Sequence, residues 1–393
     1  MSIISRVRIH TTILSPTKRV NSLSMSGHVR DGVLNELLEP ILQYGCSHWR
    51  NSSQRAAVLY DSGAKLWRKE ELKNIEEQLA QSCTVRMFTV RRFDGRKVHI
   101  RNPMFGVKKP IWKPYVKFQD YWCLVHSKPD VSVEACSCTY LVDWTNQTVR
   151  NYEGPIQNPE LLFANSRQQW HASAAFQAFI PKFFKLLEGD GNATKKVTKI
   201  VCFGLGDMNS RPSTSWIAEN ASKPENEQLP ETYMVESSFM HHAIAWTIAD
   251  IARACASAGN TVRLLTQDPD YSAETKETLQ KVGWEVVGEH GAGGFAELDD
   301  ESIVFSPFAS APVKQIIADL ARPVAIICAE SSGGVFNRFE KPYSDPESPR
   351  TKEMWKEYES WKFPVRSKDK ELAGSLRQLK IYARRGECIV NQS

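Results

Sequence analysis

Apolar positions along this chain recur first at helical spacing and later in short runs separated by helical stretches. Val33, Leu34, Leu37, Leu38 and Ile41 fall on one helical stripe, and Leu66, Leu72, Ile75 and Leu79 on another, so two helices are predicted between Asp31 and about Gln81. Tyr121–His126 and Tyr140–Trp144 have the composition of strands. Pro155 and Pro159 punctuate a loop before a helix predicted near Arg167–Leu187. Beyond Lys199 the alternation becomes regular. Lys199–Phe203, Thr261–Thr266, Trp284–Val287, Ser302–Phe305 and Val324–Cys328 read as buried strands. Helices fall between them: Ile244, Ile248, Ile251 and Cys255 beside an Ala245, Ala249, Ala252, Ala256 stripe closed by Gly259, then Ala273–Lys281 and Val313–Leu320. Leu379–Ala383 is expected as an edge strand. This order predicts an α/β class fold, a doubly wound, Rossmann-like three-layer sheet with its site at the carboxyl ends of the strands.

Residues 1–30 read as a basic disordered tail, 31–165 as a smaller α+β region, and 166–393 as the α/β domain. Within the last, residues 207–240 are rich in Ser, Pro, Asn and Glu and are expected as a long loop. Trp216, Tyr233, Met234 and Phe239 give that loop material for a lid.

Composition narrows the class without naming a partner. The 393 residues are 41% hydrophobic and 24% charged, and no long apolar run interrupts them, so a soluble protein with no membrane association is expected. Lys+Arg 50 against Asp+Glu 45 is too mild a balance to identify a nucleic-acid binder. Charge is unevenly placed, however. No acid precedes Asp31, while Arg6, Arg8, Lys18, Arg19 and Arg30 stand among Ser and Thr, a composition that also resembles a mitochondrial presequence. Between Arg86 and Lys117, ten Lys and Arg face the single acid Asp94, with Phe88, Phe93, Phe105, Trp112 and Tyr115 interleaved. That segment is expected to give at most weak, salt-sensitive nucleic-acid association, its aromatics belonging to a β core. Nine cysteines form no zinc pattern and no disulfide framework, so no metal is expected, and a cytoplasmic or nuclear location is preferred to a mitochondrial one.

Candidate chemistry gathers after the first strand of the α/β region. Phe203-Gly-Leu-Gly-Asp207 ends an apolar run in Gly-X-Gly, where Gly204 and Gly206 let backbone bend or meet a ligand closely. The third glycine of a dinucleotide fingerprint is replaced by Asn209. Asp268, followed by Pro269, stands where such folds place the carboxylate that accepts ribose hydroxyls, and equally reads as a turn-initiating Asp-Pro; with it, Gly204, Gly206 and Asp207 form the candidate ligand set. His241 joins them at the mouth of the expected crevice, beside His242; one of the pair is read either as a phosphate contact or base or, by preference, as a plain helix-start or core histidine. Ser331-Ser-Gly-Gly334 could line the same crevice or form a plain turn. No Gly-X-Ser-X-Gly, His-Glu-X-X-His or P-loop motif is present.

The Phe203-Gly-Leu-Gly206 strand end, the His-Ala-Ile-Ala helix, Asp268-Pro269 with the helix ending at Gly283, and Ser302-Ile-Val-Phe-Ser-Pro307 together resemble the SRR1-like domain family (sensitivity to red light reduced). The large amino-terminal region and the insertion after Asp207 are similar to fungal members. Phe308 stands where the family usually has a histidine. The resemblance implies a non-catalytic regulatory protein, in a family linked to circadian and light input and to regulation of haem biosynthesis. Two function classes follow: a regulator binding a small nucleotide-like ligand or a protein partner, which is preferred, and an enzyme using S-adenosylmethionine or NAD(P). The cofactor is left unassigned.

Overall fold

The computed structural model describes residues 48–125, 138–148, 152–188, 195–257, 260–308, 310–330, 345–365, 376 and 378–385. Helices α1 (His48–Asp61) and α2 (Lys69–Ala80) come first, and α2 buries Leu72, Ile75 and Leu79 as its periodicity predicts. Strands β1 (Met87–Arg91) and β2 (Lys97–Arg101) form a hairpin, followed by β3 (Trp112–Phe118), α3 (Tyr121–Val125), β4 (Tyr140–Asn146) and β5 (Tyr152–Pro155). Helices α4 (Pro159–Ala172) and α5 (Ala174–Glu188) lead into β6 (Lys199–Phe203). Then come β7 (Ser210–Pro212), α6 (Thr214–Ala221), α7 (Tyr233–Cys255), β8 (Arg263–Gln267), α8 (Ala273–Lys281) and β9 (Glu285–Val286). The chain continues through α9 (Gly293–Ala296), β10 (Ser302–Ser306), α10 (Val313–Leu320), β11 (Ala325–Ala329), α11 (Pro349–Met354), β12 (Tyr358–Lys362) and β13 (Leu379–Arg384).

Seven strands form one mixed sheet in the order β12-β13-β11-β10-β6-β8-β9. The five from β11 to β9 run parallel, and β13 and β12 complete one side antiparallel. From β6 the chain steps to β8 and β9 on one side, then returns to lay β10 and β11 on the other. Alternation along each strand feeds two cores. Ile200, Cys202, Ile303, Phe305 and Ile327 pack under α5 and α7, whereas Val201, Phe203, Val304 and Ile326 pack under α10 and α2. Helices therefore cover both faces of the sheet, which is why its strands read as continuous apolar runs.

The amino-terminal elements belong to that second core. Trp67, Leu72, Ile75 and Phe88 are buried together with Val201, Phe203 and Ile316. Asp319 on α10 locks them down: its carboxylate accepts the backbone amides of Leu66 (2.6 Å) and Trp67 (3.2 Å) and pairs with Arg350. The Arg350 guanidinium lies 4.0 Å from the centre of the Tyr60 ring. Cys46–Ser393 forms one compact unit, and its second core draws buried side chains from both sides of residue 165. The expected tail and the helix at 33–41 lie outside the described residues.

Four local expectations are corrected. Tyr121–Val125 is a helix rather than a strand, because the Asp120 carboxylate accepts the Cys123 amide (2.8 Å) and Gln315 accepts that of Tyr121 (2.9 Å). The helix expected near 167–187 is two helices broken at Ser173, whose hydroxyl accepts the Phe176 amide (3.0 Å). Residues 207–240 are not a loop but contain β7, α6 and the first turns of α7, with β7 paired to β5 and Phe239 buried. Finally, β13 is an interior strand, covered by β12 through pairs such as Ser360 with Tyr382. The expected closing Gly259 and the Ser331–Gly334 turn lie outside the described residues.

Candidate functional site

Strands β6 and β8 are parallel neighbours with Phe203 opposite Gln267, so Gly204 and Asp268 leave the sheet side by side at its carboxyl edge. Gly204 and Gly206 take φ of 65° and 86°, the left-handed region that costs an L side chain strain. The second glycine is also crowded, because a Cβ there would stand 3.3 Å from the Ser238 Cβ. The loop then closes on the next strand. Gly204 N donates to the Gln267 carbonyl (3.2 Å), and Gly206 N donates to the Asp268 carboxylate (2.9 Å). The other Asp268 oxygen accepts the Asp270 amide (3.1 Å). Burial, followed by the neighbouring Asp270 carboxylate, pushes Asp268 up to about 6 in spite of these bonds.

Asp207 faces a different task. One of its oxygens accepts both the amide and the hydroxyl of Ser272 (2.8 Å each), and the other accepts the Asn209 amide (3.0 Å) and the Ser210 hydroxyl (2.7 Å). Since Ser272 caps α8 through the Thr275 amide (3.1 Å), Asp207 clasps the glycine turn to the start of that helix. It is a brace for the site, with four donors already on its carboxylate.

Helix α7 braces the turn from the other side. The Ser238 hydroxyl donates to the Gly206 carbonyl (2.6 Å), and one turn later His242 Nδ1 donates to the Ser238 carbonyl (2.8 Å). A carbonyl only accepts, so the proton is on Nδ1 and Nε2 accepts a hydrogen bond from the Tyr271 hydroxyl (2.9 Å), leaving Thr266 to donate to Tyr271 (2.7 Å). Burial pushes the His242 ring down to about 3, so it stays neutral. His241, one position earlier, points elsewhere. Its buried ring lies 6.2 Å from Phe305 and 5.2 Å from Phe308, at the end of β10. The structure thus joins Gly204, Gly206, Asp207 and Asp268 in one cluster and seats His241 beside the neighbouring strand.

A third loop completes the edge. Residues 288–294 hold four glycines in seven residues. At Gly288, φ is 63° and a Cβ would fall 1.8 Å from the Gln267 side-chain oxygen. Gln267 itself accepts the Gly294 amide (2.7 Å) and donates to the Gly291 carbonyl (2.8 Å), tying this loop to β8. The amides of His290, Ala292 and Gly293 donate to the Glu76 carboxylate of α2 at 2.7, 2.9 and 3.0 Å. From β3, Lys113 reaches the Pro269 carbonyl (3.4 Å) and Glu289 (3.5 Å), and Lys276 also pairs with Glu289 (2.8 Å). Burial and then Lys276 lower the Lys113 ammonium, while the Lys276 hydrogen bond, ahead of Lys113, pulls Glu289 down to about 2. Perturbed titrations of both signs crowd this edge, as they do at functional sites. Sequence reasoning missed the whole loop, although its glycine density was a readable signal; nothing local pointed to Glu76 or Lys113.

A family model described as SRR1 domain matches residues 175–382. That span holds the glycine turn, Asp268 and the Gly288–Gly294 loop, but neither Glu76 nor Lys113. No curated protein and no solved structure matches the chain. Among the described residues, no helix is long and apolar enough to cross a membrane.

Proposed function

This chain belongs to the SRR1 domain family, and from that premise we propose that it is a regulatory protein holding a nucleoside-type small molecule at the carboxyl ends of β6 and β8. One observation carries the reading: a half-buried carboxylate, Asp268, directly follows the second parallel strand and bonds the Gly-X-Gly turn of the first. Numbered in chain order, the parallel strands run 3-2-1-4-5 across the sheet, and this supports a Rossmann-like, doubly wound reading in which the second-strand carboxylate meets ribose hydroxyls. Because Gly206 N already donates to Asp268, the amide that would receive a phosphate is engaged by a carboxylate. A hydroxyl-bearing, uncharged or cationic nucleoside therefore fits better than a pyrophosphate. His242 engages both ring nitrogens inside the protein and Asp207 accepts four donors from its own loops, which favours binding over chemistry. The regulatory part rests on the family's link to light input and haem biosynthesis.

The enzyme reading, methyl or hydride transfer, has one observation in its favour: a carboxyl near 6 exchanges its proton close to neutral pH. Thermal shift and calorimetry with adenosine, S-adenosylmethionine, NAD(H) and ATP separate the two. Adenosine-type ligands should raise the melting temperature, and Asp268→Asn should weaken them at least about tenfold, or about 1.4 kcal/mol. Gly206→Val should abolish binding. Equal binding by wild type and Asp268→Asn, or no response to any nucleoside, overturns the assignment; turnover of S-adenosylmethionine or NADH would favour the enzyme.

A further inference from the structure

Two surface arms carry exposed charged and apolar side chains that the candidate site and the core leave unused. One is basic. Of the ten Lys and Arg between Arg86 and Lys117, Arg91 pairs with Glu71, Arg92 and Arg96 with Asp94, Lys113 with Glu289, and Lys117 with Asp143. Arg86, Lys97, Arg101, Lys108 and Lys109 are exposed and make no ion pair among the described residues. Beside them Phe105, Val107 and Ile111 stand 48%, 38% and 49% exposed. This loop is nonetheless held firmly. The buried Asn102 amide donates to the Ser82 and Val85 carbonyls (2.5 and 2.7 Å), its oxygen accepts the Met104 amide (2.9 Å), and Gly106 N reaches the Cys83 carbonyl (3.0 Å).

The other arm, residues 213–236, is acidic, with five glutamates and one lysine. Its helix α6 buries none of its residues. Eight residues are too few for a helix to be stable by itself, and here Ser213 caps the start while the Asn220 side chain exchanges two hydrogen bonds with the Leu229 backbone (2.8 and 2.9 Å). Glu219, Glu225 and Glu227 are exposed and make no ion pair among the described residues, and Leu229, Tyr233 and Met234 are exposed alongside.

The arms are opposite in charge, alike in apolar content, and each is organised before any partner arrives. We propose that they bind each other between copies of this chain, the basic arm of one copy docking on the acidic arm of the next. Contact would remove three large apolar side chains of each copy from water while unpaired charges meet their opposites. Preorganisation lowers the ordering cost. Nucleic acid suits the surface less well, because Val107 and Ile111 cannot stack on bases and Phe88 and Phe93 are turned into the core. Since the arms are different surfaces, a single contact is heterologous; a two-fold pair would make it twice.

Analytical ultracentrifugation of the full chain over a concentration series tests this. The average mass should rise above the 44.5 kDa of one chain, with a dissociation constant on the order of micromolar, typical of small transient contacts. Association should weaken at least about tenfold from about 0.1 M to about 1 M salt, as the screening length contracts from about 10 Å to about 3 Å. Lys108→Glu with Lys109→Glu should give a monomer, and so should Glu225→Lys with Glu227→Lys. Mixing the two reversed proteins should restore association, because each then offers the charge that the other lacks. A monomeric wild type, an assembly indifferent to both reversals, or failure of the mixture to re-associate overturns the proposal. Tight binding of a labelled single-stranded RNA by a monomeric wild type, lost in the lysine reversal, would reassign the basic arm to nucleic acid.

Discussion

Glu76 is the carboxylate on which the amino-terminal helices and the glycine loop most directly depend, and Glu76→Ala tests that dependence. In the native protein its two oxygens accept three backbone amides, those of His290, Ala292 and Gly293, at 2.7 to 3.0 Å. A hydrogen bond to a charged acceptor contributes about 1.5 to 3 kcal/mol, and an amide left unsatisfied costs about 1 to 3 kcal/mol. These amides lie close together on one short loop, so water will re-satisfy part of what is lost and the three cannot simply be added. A loss of about 3 to 5 kcal/mol is expected. For a chain longer than about 250 residues each kcal/mol moves the melting temperature by about 2 °C, which gives a fall of about 6 to 10 °C. Thermal melting and urea denaturation of the full chain measure it, with the exposed neighbour Glu77→Ala as a control expected within about 0.5 kcal/mol of wild type. A Glu76→Ala protein melting within about 2 °C of wild type would show that the loop holds itself, and that the amino-terminal helices cover the sheet without securing its third loop.

Tyr271→Phe removes the hydroxyl between His242 and Thr266, leaving two buried polar atoms without that partner; a loss of about 1 to 3 kcal/mol is expected in urea, and an unchanged midpoint would refute the contribution of these two hydrogen bonds. The His242 ring should show no titration by NMR between pH 8 and 5, since burial holds it near 3, and a midpoint above 5 would contradict its placement. Because the unfolded ring protonates first, the stability this neutral histidine contributes is present above about 6.5 and is lost progressively as pH falls toward 3. Nucleoside affinity should rise between about pH 5 and 7 as Asp268 passes through about 6 and its carboxylate forms, whereas Asp268→Asn should give a flat profile; calorimetry across that range decides, and a wild-type profile that is flat or falling counts against Asp268 as the hydroxyl acceptor.

Local information in the chain was sufficient wherever one element's own spacing set the outcome. Helices α8 and α10 occupy Ala273–Lys281 and Val313–Leu320 as their patterns predict, because a stripe facing one core, and for α8 the Ser272 cap, specify a helix without reference to distant residues. The pairing of the Gly204 turn with Asp268 was legible for a related reason: consecutive strands joined by a helix usually lie side by side, so their carboxyl ends arrive together. Tertiary structure decided the rest. Residues 121–125 have a strand-like composition, yet Asp120 and a glutamine nearly two hundred positions away hold them helical. Successive residues on a helix point about 100° apart, so whether His241 or His242 would face the glycine turn depended on how α7 settled on the sheet. Glu76 and Lys113 reach loops more than 150 residues further along the chain, and no periodicity records such a meeting. Short-range pattern specifies an element and the face it buries; which loops then share one edge of the sheet is set by the packing of all elements at once.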